Sequence, residues 1–257
     1  MIKQKVKASI VHLLISLVVV GCFIAFALLV WYPAPFMSIA GLTGIVAILI
    51  SVDLVLGPLL TFVVFKPKKP RLALDLSVIA AVQMAALGYG MYTIYQGHPV
   101  YVAYAVDRFT VITAQDANPE QAKYPDLQVS TLWAPKLVYA KVPTDPELVQ
   151  ALLLDALAGK PDVDARSEYY EPFDAFVPEV LKKGIKPEVL FASPDNKQKL
   201  EAFLKKQGNT AADYAFLPLS GKEDDVVWVW SRDTGKPVGT LAINPWNTLQ
   251  VSAKNGG

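Results

Sequence analysis

Hydrophobic positions fall into two regimes along this chain. In the first third they form three nearly continuous runs, at about 8–32, 39–65 and 72–95. Each run exceeds the ~20 residues that an α-helix needs to cross ~30 Å of hydrocarbon, so three transmembrane helices are expected within a membrane domain of residues 1–96. After Gln96 the runs shorten and begin to alternate. Residues 99–112 are rich in β-branched and aromatic side chains and read as one long strand or two short ones, and 137–142 reads as a weaker strand. Thr144 and Glu147 have the spacing of a capping box ahead of a helix at 148–158 that Gly159 would end. A second helix is expected from Ser193-Pro194 to about Gln207, closed by Gly208, with Leu200, Phe203 and Leu204 as its buried stripe. The hairpin signal at 226–231 and 236–243, joined through Arg232 to Gly235, is the clearest in the tail. Residues 97–257 thus read as one α+β domain, long enough to build its own core.

The hairpin's first strand is unusual in being apolar on both faces. Val226, Trp228 and Trp230 share one side, and Val227 and Val229 the other. Such a strand is either central, with both faces covered, or offers one face to a partner.

Composition supports this division. The chain is 53% hydrophobic and only 18% charged, with a mean hydropathy of +0.34, which makes a purely soluble protein a poor description. The net charge of +1 conceals an asymmetry: residues 1–96 carry +5 and residues 97–257 carry −4. Lys3, Lys5 and Lys7 precede the first run, the joint at 33–38 carries no charge, and Lys66, Lys68, Lys69 and Arg71 crowd the second joint. By the positive-inside rule the N-terminus and the basic joint face the cytoplasm, which puts the α+β domain outside. Trp31, Tyr32, Tyr92 and Tyr95 then form an aromatic belt at the outer interface. With no basic face on the second half, nucleic acid is not an expected partner. The lone Cys22 supports neither a disulfide framework nor a CxxC site. Its surroundings resemble a lipoprotein cleavage site, but apolar sequence continues to Tyr32, as in an uncut span with Cys22 as a small hydrophobe.

Ionisable groups inside the runs are few. Each costs roughly 2.5–3.5 kcal/mol on insertion scales, so each calls for a partner. Asp53 lies ~18 Å from the cytoplasmic end of its run, near the midplane, and Gln83 sits at matching depth in the antiparallel third run. A hydrogen bond between them is expected. His12 and Asp75 share a shallower level and are expected to pair, with Arg71 competing for Asp75 along one helix face. Gly57-Pro58 should kink the second helix, because Pro58 cannot donate to the Leu54 carbonyl. Gly41, Gly44, Gly88 and Gly90 permit close helix approach.

Catalytic patterns are missing. No nucleophile has a visible partner, no glycine-rich phosphate loop follows a strand, and His98 is the only histidine outside the runs. Asp162, Asp164 and Glu168 are loosely spaced like calcium ligands, but the turn glycine is absent and Arg166 occupies a ligand position, so no metal and no cofactor are expected. Asp224-Asp225 reads as a solvated turn.

Several of these segments together resemble the type IV pilin accessory proteins of Gram-negative bacteria (the TfpX/TfpZ type). The residues concerned are the DLVLGPLLT segment from Asp53 to Thr61, the basic joint, Asp75 with Gln83, Tyr89-Gly90, Pro99, the Asp107-Arg108-Phe109 triplet, the Phe216 to Gly221 segment, and Asn244-Pro245-Trp246. His98 departs from the arginine expected before Pro99. The resemblance implies a non-catalytic inner-membrane protein with a chaperone-like role, which stabilises or presents a cognate type IV pilin and works with other pilus assembly proteins. Gly88 and Gly90 in the membrane, and Trp228 and Trp230 outside it, are the candidate pilin contacts. The competing classes are a pilin-modifying membrane enzyme such as a glycosyl transferase, and a membrane-anchored signalling or transport component.

Overall fold

The computed structural model describes residues 2–133, 135–191 and 193–247. The chain forms two compact units, one made of Met1–Pro33 with Gly41–His98 and the other of Ala34–Ala40 with Pro99–Gly257. Residues 248–257, the end of the expected α+β domain, lie outside the described residues.

The first unit is three helices long and apolar enough to cross a membrane: Ile2–Trp31, Leu42–Val64 and Leu72–Gly97. The first starts at Ile2 rather than near residue 8, so Lys3, Lys5 and Lys7 are helical, and it runs unbroken through Cys22. Two stretches widen into π-helical turns, Ala27–Trp31 and Ser51–Leu56. The second ends just before Gly57-Pro58, where the missing proline N–H breaks the regular ladder. Between the second and third helices the basic joint folds tightly, with Lys68 and Arg71 in the left-handed region. The aromatic residues near the ends of the first and third helices cluster. Trp31 stacks on His98 with ring centroids 5.3 Å apart, Tyr95 lies 5.5 Å from Trp31, and the Tyr32 hydroxyl donates to the Ile94 carbonyl at 2.8 Å.

The second unit is built on a seven-stranded mixed sheet. Its strands are β1 (Pro99–Ala105), β2 (Arg108–Thr113), β3 (Lys136–Ala140), β4 (Tyr170–Pro172), β5 (Tyr214–Ser220), β6 (Asp225–Ser231) and β7 (Pro237–Leu241), in spatial order β4-β3-β1-β2-β5-β6-β7. The 99–112 stretch is therefore two strands, an antiparallel hairpin turning at Val106-Asp107. Parallel pairings of β1 with β3 and of β2 with β5 join this hairpin to the rest.

Helices and loops cover both faces, which explains why β1 is apolar at every position. Val102 and Tyr104 point into one core with Phe109, Leu217, Trp228 and Trp230, while Tyr101 and Ala103 point into the opposite core with Leu127, Val138 and Tyr170. β6 follows the same rule, since Val227 and Val229 enter a third cluster with Leu200 and Phe216. It lies between β5 and β7 and is central.

Two local expectations change. The helix at Pro146–Leu157 is capped by Asp145, whose carboxylate accepts from the Glu147 N–H at 2.8 Å; with Pro146 at its first position the cap moves one residue past Thr144. Ile39, expected to open the second membrane run, does not belong to it, and Phe36 of the preceding joint is no simple connection. They are 1% and 5% exposed within the core of the sheet unit, and the second helix begins only at Leu42. An apolar side chain is equally at home in lipid and in a protein interior, so hydropathy alone assigns Ile39 to the wrong solvent.

Tyr101 gives this core a pH signature. Burial pushes its phenol up to about 12, and its hydroxyl donates to the Leu127 carbonyl. The folded state thus favours the neutral phenol. The stability this contributes is complete below the ordinary tyrosine value of about 10 and is lost as the pH rises through about 12. Tyrosinate absorption measured on the whole protein in detergent should show a group ionising near the top of this range together with loss of near-ultraviolet circular dichroism. Tyr101→Phe should remove that group, and ionisation of all tyrosines near 10 with the fold intact would contradict it.

Candidate functional site

The second apolar helix is the centre of the three, and its polar side chains meet the other two. Asp53 is 4% exposed. Gln83 Nε2 donates to both the Asp53 main-chain carbonyl and Oδ1, each at 3.4 Å. Gly57 makes this reach possible. It lies one turn after Asp53 on the same face, and a Cβ built on it would sit 2.0 Å from Gln83 Nε2. The Gln83 amide therefore lies across a position only glycine leaves open.

The first helix forms a short polar ladder along the second. The Ser9 hydroxyl donates to the Pro58 carbonyl at 2.8 Å, His12 Nδ1 is hydrogen-bonded to Thr61 Oγ1 at 2.6 Å, and Lys5 Nζ donates to the Val63 carbonyl at 3.2 Å. The expected His12–Asp75 pair does not form, because His12 faces the second helix and Thr61. Asp75 pairs with Lys69 at 2.7 Å instead of Arg71. Arg71 sits in the left-handed conformation at the helix start and offers its carbonyl to the Asp75 N–H. Ser9 carries no mark in the sequence, and Thr61 only as the end of the DLVLGPLLT segment, since short hydroxyl side chains are common in apolar helices.

Between the first and third helices, with the second as floor, runs a cleft. Its wider part, about 700 Å³, is lined by Lys7, Val11, His12, Thr61, Leu76 and Ala80 among others. A narrower part of about 140 Å³ continues from it, sharing His12, Ile15 and Ala80, and reaches Asp53, Gln83 and Leu87. Gly90 is not part of this opening. A Cβ there would meet the Leu49 side chain at 2.8 Å, so its close approach is to the second helix, whereas Gly88 and Gly44 have nothing within 4 Å.

In the sheet unit, the Trp228/Trp230 face is occupied. Trp228 and Trp230 are 4% and 1% exposed and pack with Phe109, Phe173 and Phe36. They are core residues and present no face to a partner, because loops and the 34–40 segment cover that side of the sheet. Asp225 is likewise no solvated turn: it begins β6 and accepts from the Trp246 indole N–H at 2.7 Å. Arg108 lies over the same indole, 4.5 Å from its centroid. Residues from three distant segments, Arg108, Asp225 and Trp246, thus form one clasp.

The loosely spaced acids at 162–168 are used locally. Asp162 caps the Val163 N–H at 2.6 Å, and the Asp164 carbonyl accepts from the Tyr170 hydroxyl at 2.7 Å. Hydrogen bonds from Lys160 and Arg166, at 2.8 and 2.7 Å, hold the Asp155 carboxyl below its ordinary value. Among the described residues no group of His, Cys, Asp and Glu is placed to hold a metal ion.

The model of a family described as fimbrial assembly protein FimB matches residues 1–41, which contain the first apolar helix with Ser9 and His12 and also the 34–40 segment. A fimbrial assembly protein of serogroups C1 and C2 from Dichelobacter nodosus is 35% identical over 112 residues, 43% of this chain and 86% of that one. The chain belongs to the fimbrial assembly protein family. Two further family members from the same organism, of serogroups I and E1, are 35% and 33% identical over 129 residues, 46% of this chain. The chain spans about half the length of these two relatives. No solved structure matches it.

Proposed function

We propose that this protein is a non-catalytic accessory of type IV pilus assembly, held in the bacterial inner membrane by its three apolar helices, which stabilises or presents a cognate pilin. Kinship with proteins named for fimbrial assembly carries this reading. Hydrogen bonds that tie the second apolar helix to the first and the third, through His12 with Thr61 and Gln83 with Asp53, give the membrane part a defined scaffold, as such a role needs. The basic residues at the N-terminus and in the second joint favour a cytoplasmic N-terminus and a periplasmic sheet domain.

A pilin held in the bilayer by one apolar helix, with a globular part outside, requires a helper with a surface for each. Gly88 remains a candidate for the first. For the second, the helix Pro146–Leu157 leaves Leu153, Leu154 and Leu157 exposed on one side, an apolar face of the kind that marks interaction sites.

Deleting the gene should abolish surface pili and lower pilin abundance while leaving the mass of the remaining pilin unchanged. A shifted pilin mass would point to a modifying enzyme, and normal pili would remove the assembly role. A reporter fused after Gly257 and active only outside the cytoplasm should be active; an inactive one reverses the topology.

A further inference from the structure

Asp53 is an incomplete hydrogen-bonding group. Gln83 addresses its main-chain carbonyl and Oδ1, while Oδ2 has no partner and the residue is 96% buried. A polar atom left unsatisfied in a hydrocarbon environment costs several kcal/mol. Asp53 also lines the deep end of the cleft between the first and third helices.

The walls of the cleft are long stripes. On the first helix they run from Gln4 and Lys7 through His12 and Ile15 to Val20, and the part within the apolar run, from Ala8 on, is roughly 18 Å long at ~1.5 Å per residue, over half of a hydrocarbon core. Much of the wall is apolar and open: Val11, Ile15 and Met84 are exposed. An acyl chain would fill such a cleft but brings no polar atom to mid-depth, where Asp53 lies. A polypeptide helix can bring one.

We infer that this cleft is the docking groove for a single membrane-spanning helix, apolar along its length and carrying one hydrogen-bond donor at mid-depth that completes Asp53 Oδ2. That the helix is the pilin's own rests on the assembly role proposed above; the groove and its chemistry do not. The complementarity is one of shape and charge. A stripe of small and apolar residues receives the helix, and the single acidic oxygen selects for its donor and sets its depth.

The test is photocrosslinking in pilus-producing cells, with a photoreactive residue at Ile15 or Ala80 in the cleft and, as controls, at Leu17 or Val78. These controls are exposed and lie on the opposite faces of the same helices. The cleft positions should capture pilin through its transmembrane segment, mapped by peptide mass spectrometry, and the controls should not. Asp53→Leu should lower the capture about threefold or more, in line with hydrogen bonds measured inside membranes, with Asp53→Asn retaining more of it. Equal capture at the control positions, capture of lipid alone, or capture only of a second copy of this chain overturns the groove. These comparisons in the unsubstituted Asp53 background stand even if Asp53→Leu fails to accumulate. If the cleft captures a different transmembrane helix with a donor at mid-depth and the deletion strain keeps its pili, the groove stands and the pilin reading falls.

Discussion

Phe109→Ala is expected to destabilise the sheet unit by about 3–5 kcal/mol, the range for truncating a large aromatic side chain in a packed core. Phe109 is fully buried and is the hub of its cluster. Its ring lies parallel to Trp230 at 5.4 Å and is in edge or tilted contact with Trp228 at 5.0 Å, Tyr104 at 5.0 Å and Phe173 at 5.6 Å. These rings come from β1, β6 and the loop after β4, so the cavity left by alanine in β2 borders three other segments that cannot close in together. Denaturant unfolding of the whole protein in detergent, followed by tryptophan fluorescence, should show a lower midpoint for the transition that involves Trp228 and Trp230. Phe109→Leu should lose markedly less. An unchanged midpoint for the alanine variant would mean that this cluster does not limit the stability of the unit.

Gly221→Val should be nearly as damaging, for a different reason. A Cβ at Gly221 would stand 2.4 Å from the Ile39 carbonyl oxygen and 2.9 Å from that of Asp224. Both are main-chain atoms. The first is held, since the Ile39 carbonyl accepts from the Glu223 N–H at 3.1 Å, and Gly221 N–H itself donates to Asp224 at 3.1 Å. Overpacking of this sort typically costs about 1–3 kcal/mol, and a rigid obstacle puts the effect at the upper end. The obstacle also defines a control: because the closest atom is backbone, Ile39→Ala should fail to rescue Gly221→Val. Rescue would show that the side chain alone makes the contact.

The sequence carried much of this fold for reasons that can be named. Run length is enough to locate three long apolar helices, because lipid and helix geometry allow few alternatives. Pairing Asp53 with Gln83 needs only the helix rise and an antiparallel neighbour. Depth, however, says nothing of azimuth, and His12 illustrates the difference: it is level with Asp75 but turned toward Thr61. The sheet shows the same division. The β6–β7 hairpin is local and readable, and the β1–β2 stretch is readable as extended chain but not as one strand or two, whereas the parallel pairings of β1 with β3 and β2 with β5, and the three residues of β4, depend on contacts between distant segments. Trp228 and Trp230 are visible as paired aromatics on one face, but what covers them comes from elsewhere in the chain. The resemblance motifs behave alike, since Gly221, Arg108 and Trp246 look unrelated until the fold brings each to its counterpart.

The membership of residues 34–40 in the sheet core bears on how the protein is made. Phe36 and Ile39 leave the ribosome soon after the first apolar helix, well before the strands that enclose them, β5 and β6, which start only at Tyr214 and Asp225. Their apolar side chains must wait for these distant segments, a long-range closure of the kind that slows folding. The sheet unit is thus sealed by a piece made long before the strands it packs on. A water-soluble version begun at Pro99 would expose the empty seats of both residues, and supplying 34–40 through a linker should make it markedly less prone to aggregate.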